Sequence, residues 1–234
     1  MDIDYRFPGT GRGATRYGAG ILRFNGWRAL AWALIVTLLT IAVPPAFAAP
    51  ATILAFGDSL FAGYGLSPAD GFPAQLERAL RDGKHDVRVI NAGVSGDTTA
   101  DGVARLAWSL ADKPDLVLLE LGSNDALRGL DPDRARANLD TLLGQITAAH
   151  IPVVLVGMLA PRNLGPAYQA KFDPIYPDLA RKYGVPLYPF ILDGVALDPT
   201  LSQADGMHPN SKGVAIIVNR MLPLVEKALP SKAS

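Results

Sequence analysis

Residues 51–60 read Ala-Thr-Ile-Leu-Ala-Phe-Gly-Asp-Ser-Leu, six uncharged residues that give way at once to Gly57-Asp58-Ser59. A short apolar run without polar alternate positions suits a strand buried on both faces. The same pattern returns at 87–90, at 116–121 (LVLLEL) and at 153–158 (VVLVGM), each run bounded by Gly, Pro or Asp. Between the runs lie 73–81, 99–110 and 132–149, which place apolar residues at helical spacing, as in Leu139, Leu142, Leu143 and Ile146. Helices are also expected over 167–183 and 210–228. Strand–helix alternation with short connections predicts βαβ crossovers and a parallel sheet covered by helices on both faces. The sequence shows no internal repeat, low-complexity tract or interdomain linker.

The composition narrows the function classes. The chain has 234 residues, 49% hydrophobic and 19% charged, enough for one large α/β domain and unlike a disulfide miniprotein or a disordered tail. Absence of Cys excludes a disulfide framework, a thiolate nucleophile, Cys-ligated zinc and an iron–sulfur cluster. Lys plus Arg and Asp plus Glu both number 22, so no global basic field draws the protein to nucleic acid.

That balance hides an asymmetry, because residues 1–48 carry Arg6, Arg12, Arg16, Arg23 and Arg28 against Asp2 and Asp4. An apolar run over 29–43 follows, then Pro44-Pro45 and Ala46-Phe47-Ala48, a small-x-small pattern ahead of Ala49. These 15 residues cover about 22 Å as a helix, short of the ~30 Å hydrocarbon core of a bilayer. Residues 1–48 therefore read as an export signal, and 49–234 as the domain, periplasmic or secreted. Residues 1–28 are long for the front of a signal. The alternative is an uncleaved anchor, the one route by which the protein would touch a membrane.

The polar signals follow the apolar runs: Gly57-Asp58-Ser59, then 91–97 (NAGVSGD), then 122–125 (GSND), with 205–209 (DGMHP) ahead of the last helix. In open parallel sheets such loops gather beyond the carboxyl ends of the strands. A metal-free hydrolase needs a nucleophile, a base, a group to orient the base, and donors for an oxyanion. Ser59 follows a buried strand and precedes a helical turn, which makes it a candidate nucleophile; the plainer reading is a helix cap. Of three histidines, His85 lies in a polar Lys-His-Asp turn and His150 precedes Ile151-Pro152, so both suit solvated positions. His208 sits in a Gly- and Pro-bounded loop three residues after Asp205, close enough for that carboxylate to hold one ring nitrogen and turn the other to Ser59. Asp205 as a cap and His208 as a surface residue is the plainer alternative. The backbone N–H groups of Ser59 and Gly96 and the amide of Asn124 are candidate oxyanion donors, against turn-forming roles for Gly96 and Asn124.

Taken together, Gly57-Asp58-Ser59-Leu60, Gly96, Gly122-Ser123-Asn124-Asp125 and Asp205-xx-His208-Pro209 resemble the four blocks of the SGNH (GDSL) hydrolases over about residues 51–228. Through FGDSLFAGYGL, NAGVSGDTT, LELGSNDALRGL and DGMHPN the chain resembles the bacterial periplasmic acyl-CoA thioesterase I, arylesterase and lysophospholipase group. The resemblance implies a three-layer α/β/α sandwich with a central parallel sheet, the flavodoxin-like fold of that family. It also implies a serine esterase or thioesterase acting on small-molecule acyl esters or thioesters through an acyl-enzyme, with no cofactor and no metal. Ser59, Asp205 and His208 would be catalytic, and Ser59, Gly96 and Asn124 the oxyanion hole. One departure is Ser123, where relatives usually carry a second Gly. The Gly57–Phe61 block also differs from the G-x-S-x-G elbow of α/β-hydrolases.

Leu60, Phe61, Tyr64 and the segment Ala126, Leu127, Arg128, Gly129 and Leu130 flank the candidate site with apolar groups suited to an acyl chain or aromatic ester, unless they are core or lid packing. In the resembling family the segment after the third block is a mobile specificity loop, which favours Leu60, Ala126, Leu127 and Leu130 as substrate-binding residues. Residues 158–168 form a second candidate wall, with Arg162 solvated or facing a polar end of the substrate. Three rivals stand beside this reading. Asp58, Asp97, Asp125, Asp205 and His208 could surround divalent ions in a phosphoesterase, though such sites usually recruit several histidines. A GDSL-like domain could bind lipid or glycan without turnover. A dinucleotide fold is weaker, because the Gly-rich 9–20 region precedes the export signal instead of following a strand.

Overall fold

Five parallel strands form the sheet in this computed structural model, which describes residues 49–230. The export-signal reading of 1–48 lies outside the described residues. The strands are β1 (Ala51–Gly57), β2 (Val87–Gly93), β3 (Leu116–Glu120), β4 (Val153–Val156) and β5 (Leu187–Tyr188), in the order β2-β1-β3-β4-β5. Registers such as Ala55 beside Asn91 and Leu118, and Leu118 beside Val154, bring the carboxyl ends of β2, β1, β3 and β4 to one edge.

The central strands behave as their apolar runs predict. Ile53 to Phe56 and Leu116 to Leu119 have no exposed surface, because each strand has neighbours on both sides and helices on both faces. Truncating one of these leucines to Ala would cost about 2–5 kcal/mol. Strand β2 departs from the two-face burial expected of it: Arg88 and Asn91 are exposed and Val89 and Ile90 only half-buried. It is an edge strand with one neighbour, so part of its surface has nothing to pack against.

Eight α-helices complete the layers: α1 (Ser59–Ala62), α2 (Phe72–Asp82), α3 (Thr99–Ser109), α4 (Ser123–Leu127), α5 (Pro132–Ala148), α6 (Pro166–Phe172), α7 (Ile175–Tyr183) and α8 (Ser211–Ala228) among the described residues. Helix α2 packs on α8, and α3 and α7 pack on α5, giving a helical layer on each face of the sheet. Phe72, Leu76 and Leu80 recur every four residues and form the buried stripe of α2. Helix α5 starts where Asp131 accepts from Asp133 N and Pro132 occupies the first turn; Ala135, Leu139, Leu142, Leu143 and Ile146 are its buried side.

Two features escape the sequence reading. The single helix expected over 167–183 is two, α6 and α7, interrupted at Asp173-Pro174. Pro174 has no N–H for the ladder and its ring would strike the carbonyl four residues back. Strand β5 has only two residues, too few for a periodicity. The strand order matches the flavodoxin-like arrangement, in which the direction of progress across the sheet reverses between β1 and β3, so the crevice beyond those two carboxyl ends is where a ligand fits.

Candidate active site

Strand β1 ends at Gly57, and the chain turns into α1 at Ser59. The cap of that short helix is Asp58, whose Oδ1 accepts from Leu60 N at 3.0 Å. Capping is thus done by the residue before Ser59, and the Ser59 hydroxyl is left for another partner. As the first helical residue, Ser59 also has a backbone N–H without an acceptor inside the helix.

That partner comes from the far end of the chain. His208 Nε2 lies 2.9 Å from Ser59 Oγ, and His208 Nδ1 lies 2.6 Å from Asp205 Oδ2. A carboxylate only accepts, so Nδ1 carries the hydrogen and the Nε2 lone pair faces the Ser59 hydroxyl. Asp205 Oδ1 accepts from Met207 N and His208 N, both at 3.0 Å, which fixes its turn. The side-chain bond to His208, helped by these two N–H groups, lowers the Asp205 carboxyl to about 2. The Tyr64 ring lies against the imidazole, with centroids 4.6 Å apart. Gln203, which the sequence reading missed, donates through Nε2 to Tyr64 O at 2.7 Å and Pro209 O at 3.0 Å, tying the histidine loop to the turn after α1.

Facing this triad are the loops after β2 and β3. Gly96 has φ +90°, a backbone conformation that side-chain-bearing residues rarely adopt. Its carbonyl accepts from Arg128 Nη2 at 2.7 Å. Asn124, in the first turn of α4, donates through Nδ2 to Asp58 Oδ2 at 3.2 Å and to Asp97 O at 3.0 Å. Both of its amide hydrogens are engaged, so a substrate oxyanion would share one of them or exchange with one of these acceptors.

Arg105 is a second residue that the sequence reading missed. It bonds Asp97 Oδ2 at 2.6 Å and donates to Ala92 O and Gly57 O, both at 2.8 Å, while its guanidinium stacks 3.9 Å from the Phe56 ring centroid. One side chain thereby clamps the ends of β1 and β2.

These bonds bear on the metal reading. Asp97 pairs with Arg105, Asp125 accepts from Thr99 N and Oγ1 at 2.8 and 2.6 Å, Asp205 holds His208, and Asp58 caps α1. The carboxylates do not converge on a shared point, and among the described residues no group of three or more His, Asp or Glu side chains could hold a metal ion. His85 lies 3.5 Å from Glu226, away from the triad, and His150 follows the end of α5.

The apolar flank divides in two. Ala126, 1% exposed, and Leu60 belong to the core, with Leu60 also lining a small hollow beside Ser59, Tyr64 and His208. Leu127 and Leu130 are 56% and 42% exposed. Tyr168 donates to Leu130 O at 2.7 Å, which joins the 158–168 wall to the loop after α4, whereas Arg162 is exposed.

Residues 55–216 match the model of the GDSL-like Lipase/Acylhydrolase family. The chain is 39% identical over 183 residues to Esterase TesA of Pseudomonas aeruginosa, covering 78% of this chain and 91% of that protein. It is 40% identical over 175 residues to Thioesterase 1/protease 1/lysophospholipase L1 of Escherichia coli K12, covering 74% and 83% respectively. Among solved structures, AlinE4, an SGNH-hydrolase family esterase, superposes with a TM-score of 0.66 at 51% identity, covering 80% of this chain and all of that one.

Proposed function

The chain belongs to the GDSL-like lipase/acylhydrolase family and is a hydrolase, and from that premise we propose that Ser59 is its nucleophile, His208 its base and Asp205 the group that orients the base. The observation that carries this reading is the line Ser59 Oγ, His208 Nε2, His208 Nδ1, Asp205 Oδ2, at 2.9 and 2.6 Å. In the first half-reaction Ser59 Oγ attacks the acyl carbonyl while His208 Nε2 takes the hydroxyl proton. The tetrahedral oxyanion forms against the N–H groups of Ser59 and Gly96 and the Asn124 amide. His208 returns the proton to the departing alkoxide or thiolate, leaving an acyl-Ser59. Water attacks that ester with the same base, the carboxylic acid leaves, and Ser59 recovers its proton.

The substrate class proposed is a carboxylic ester or thioester with an apolar acyl or aryl group: aryl esters, acyl thioesters or lysophospholipids. The exposed Leu127 and Leu130, which follow Asn124 in the chain, support an apolar acyl contact, with Leu60 beside Ser59 and Ala126 backing that wall from the core. The names of the relatives, esterase and thioesterase/protease/lysophospholipase, include the same ester and thioester chemistry. Residues 1–48 are proposed to direct export to the periplasm or beyond. No helix among the described residues is long and apolar enough to cross a membrane.

The test is hydrolysis of a p-nitrophenyl ester series from acetyl to palmitoyl by the full chain, beside Ser59→Ala, with EDTA present. Turnover that persists in EDTA and disappears in Ser59→Ala supports the reading, and the chain-length optimum sizes the acyl site. Equal rates for the two proteins would sink Ser59 as the nucleophile.

A further inference from the structure

Glu120 closes β3 inside a run of apolar residues, yet it is ionisable and only 1% exposed; Asp58 beside it has no exposed surface. The space that Glu120 fills exists because residue 57 is glycine: a Cβ there would stand 2.6 Å from Glu120 Oε2. Glu120 Oε2 accepts from Asp58 N at 3.1 Å, and Oε1 accepts from Ser123 Oγ at 3.2 Å. One Glu120 oxygen is thus tied to the Asp58 backbone and the other to the Ser123 hydroxyl, which sets the two buried acids side by side at the end of β1 and β3. From the same carboxyl group Asp58 holds the cap of the Ser59 helix and the Asn124 amide.

Among the described residues no ion pair reaches either carboxyl. The other titratable or charged groups nearby are Tyr176 of α7, whose hydroxyl donates to Leu121 O at 2.8 Å, the buried Asp125 of α4, which accepts from Thr99, His208, and Arg105, which is paired with Asp97. Two carboxylates this deep, without a cation against them, cannot both hold a full negative charge.

We propose that the Asp58 and Glu120 carboxyl groups carry a single proton between them, with Glu120 as the neutral acid and Asp58 as the carboxylate, and that this buried cluster, with Ser123 as its hydroxyl partner, is what positions the Ser59 turn and the Asn124 amide. The inference rests on the roles proposed above for Ser59 and Asn124. Burial, and then the neighbouring Asp58, push the Glu120 carboxyl well above the usual carboxylate range. Burial also raises Asp58, but the Leu60 N–H and the Asn124 amide both donate to its oxygens and favour its ionised form, so the one charge settles there. The charged Asp58 then gives Asn124 a stronger acceptor than a neutral acid would. Glu120 is a positioning residue in this arrangement, and Ser123, the departure seen in the third sequence block, supplies the hydroxyl that holds it.

The decisive experiment is infrared spectroscopy of the full chain in D2O at neutral pH, beside Glu120→Gln, together with kcat and KM for both. The expected result is a carbonyl stretching band of an un-ionised carboxylic acid in the wild type that is lost in Glu120→Gln, with kcat and KM of the isosteric neutral variant near wild type. Glu120→Ala, which removes the contacts as well as the acid, should lower kcat by on the order of 10²-fold, the usual effect of losing one oxyanion donor, with KM little changed. Glu120→Ala can fail to fold, so the wild-type spectrum and Glu120→Gln carry the test. No acid band in the wild type, or a kcat in Glu120→Gln as low as in Glu120→Ala, overturns the proposal. A band without any Ser59-dependent turnover would instead sink the catalytic reading and, with it, the positioning role. An active wild type without the band sinks the cluster alone.

Discussion

Asp58 and Asn124, 66 residues apart, are joined by a 3.2 Å hydrogen bond from the Asn124 amide to Asp58 Oδ2. The residue that caps the helix of the proposed nucleophile therefore also holds the amide proposed to face the oxyanion. A shift of either would move both halves of the site, which makes the bond a sensitive place to test the mechanism.

Asn124→Ala should lower kcat by about 10²–10³-fold, equivalent to roughly 2.7–4 kcal/mol, with KM little changed, because the lost donor acts on a charge that develops only in the transition state. Steady-state kinetics on one p-nitrophenyl ester decides this. A loss below tenfold, in a variant as resistant to urea as the wild type, would remove Asn124 from the oxyanion site.

Asp205→Asn should lower kcat on the order of 10⁴-fold, as the equivalent change does in the Ser-His-Asp template, because an amide can impose the wrong imidazole tautomer. The Asp205 carboxyl is held down to about 2, so it stays ionised wherever the enzyme is assayed and adds no ionisation of its own to the acid limb of kcat/KM. The sign for stability follows from the lowered carboxyl. The contribution of Asp205 is complete above its ordinary 3.8 and is lost as pH falls through about 2. An activity plateau that continues well below the range of a histidine titration would count against His208 as base.

Arg105→Lys keeps the charge but lacks the fork that reaches Asp97, Ala92 O and Gly57 O together. It should cost about 1.5–3 kcal/mol, the range for a lost hydrogen bond to a charged group, seen as a lower urea midpoint at constant slope. Because Asp97 O also holds the Asn124 amide, kcat should fall as well. An unchanged midpoint would show that the clamp is dispensable.

The amino-acid sequence alone determined what depends on short-range patterns. Buried runs such as 51–56 and 116–121 and the helical spacing of Leu139, Leu142, Leu143 and Ile146 encode local backbone pairing and facing, so a parallel α/β sheet was legible before any coordinates. The order of the polar blocks around Ser59, Asn124 and His208 was legible for the same reason, as was the pairing of Asp205 with His208 only three residues away. The tertiary structure decided what depends on groups far apart in the chain. Ser59 meets His208 across 149 residues, and Arg105 reaches Gly57 across 48. Only the folded structure tells Asp58 from Ser59 as the helix cap, leaves β2 half-covered at the sheet edge, and shows that the Glu120 side chain is buried among the apolar residues of its strand. Periodicity records which face of an element is buried. The partner that a buried polar group finds there is set by the neighbouring loops, because a desolvated donor or acceptor must be satisfied by whatever the fold brings within reach.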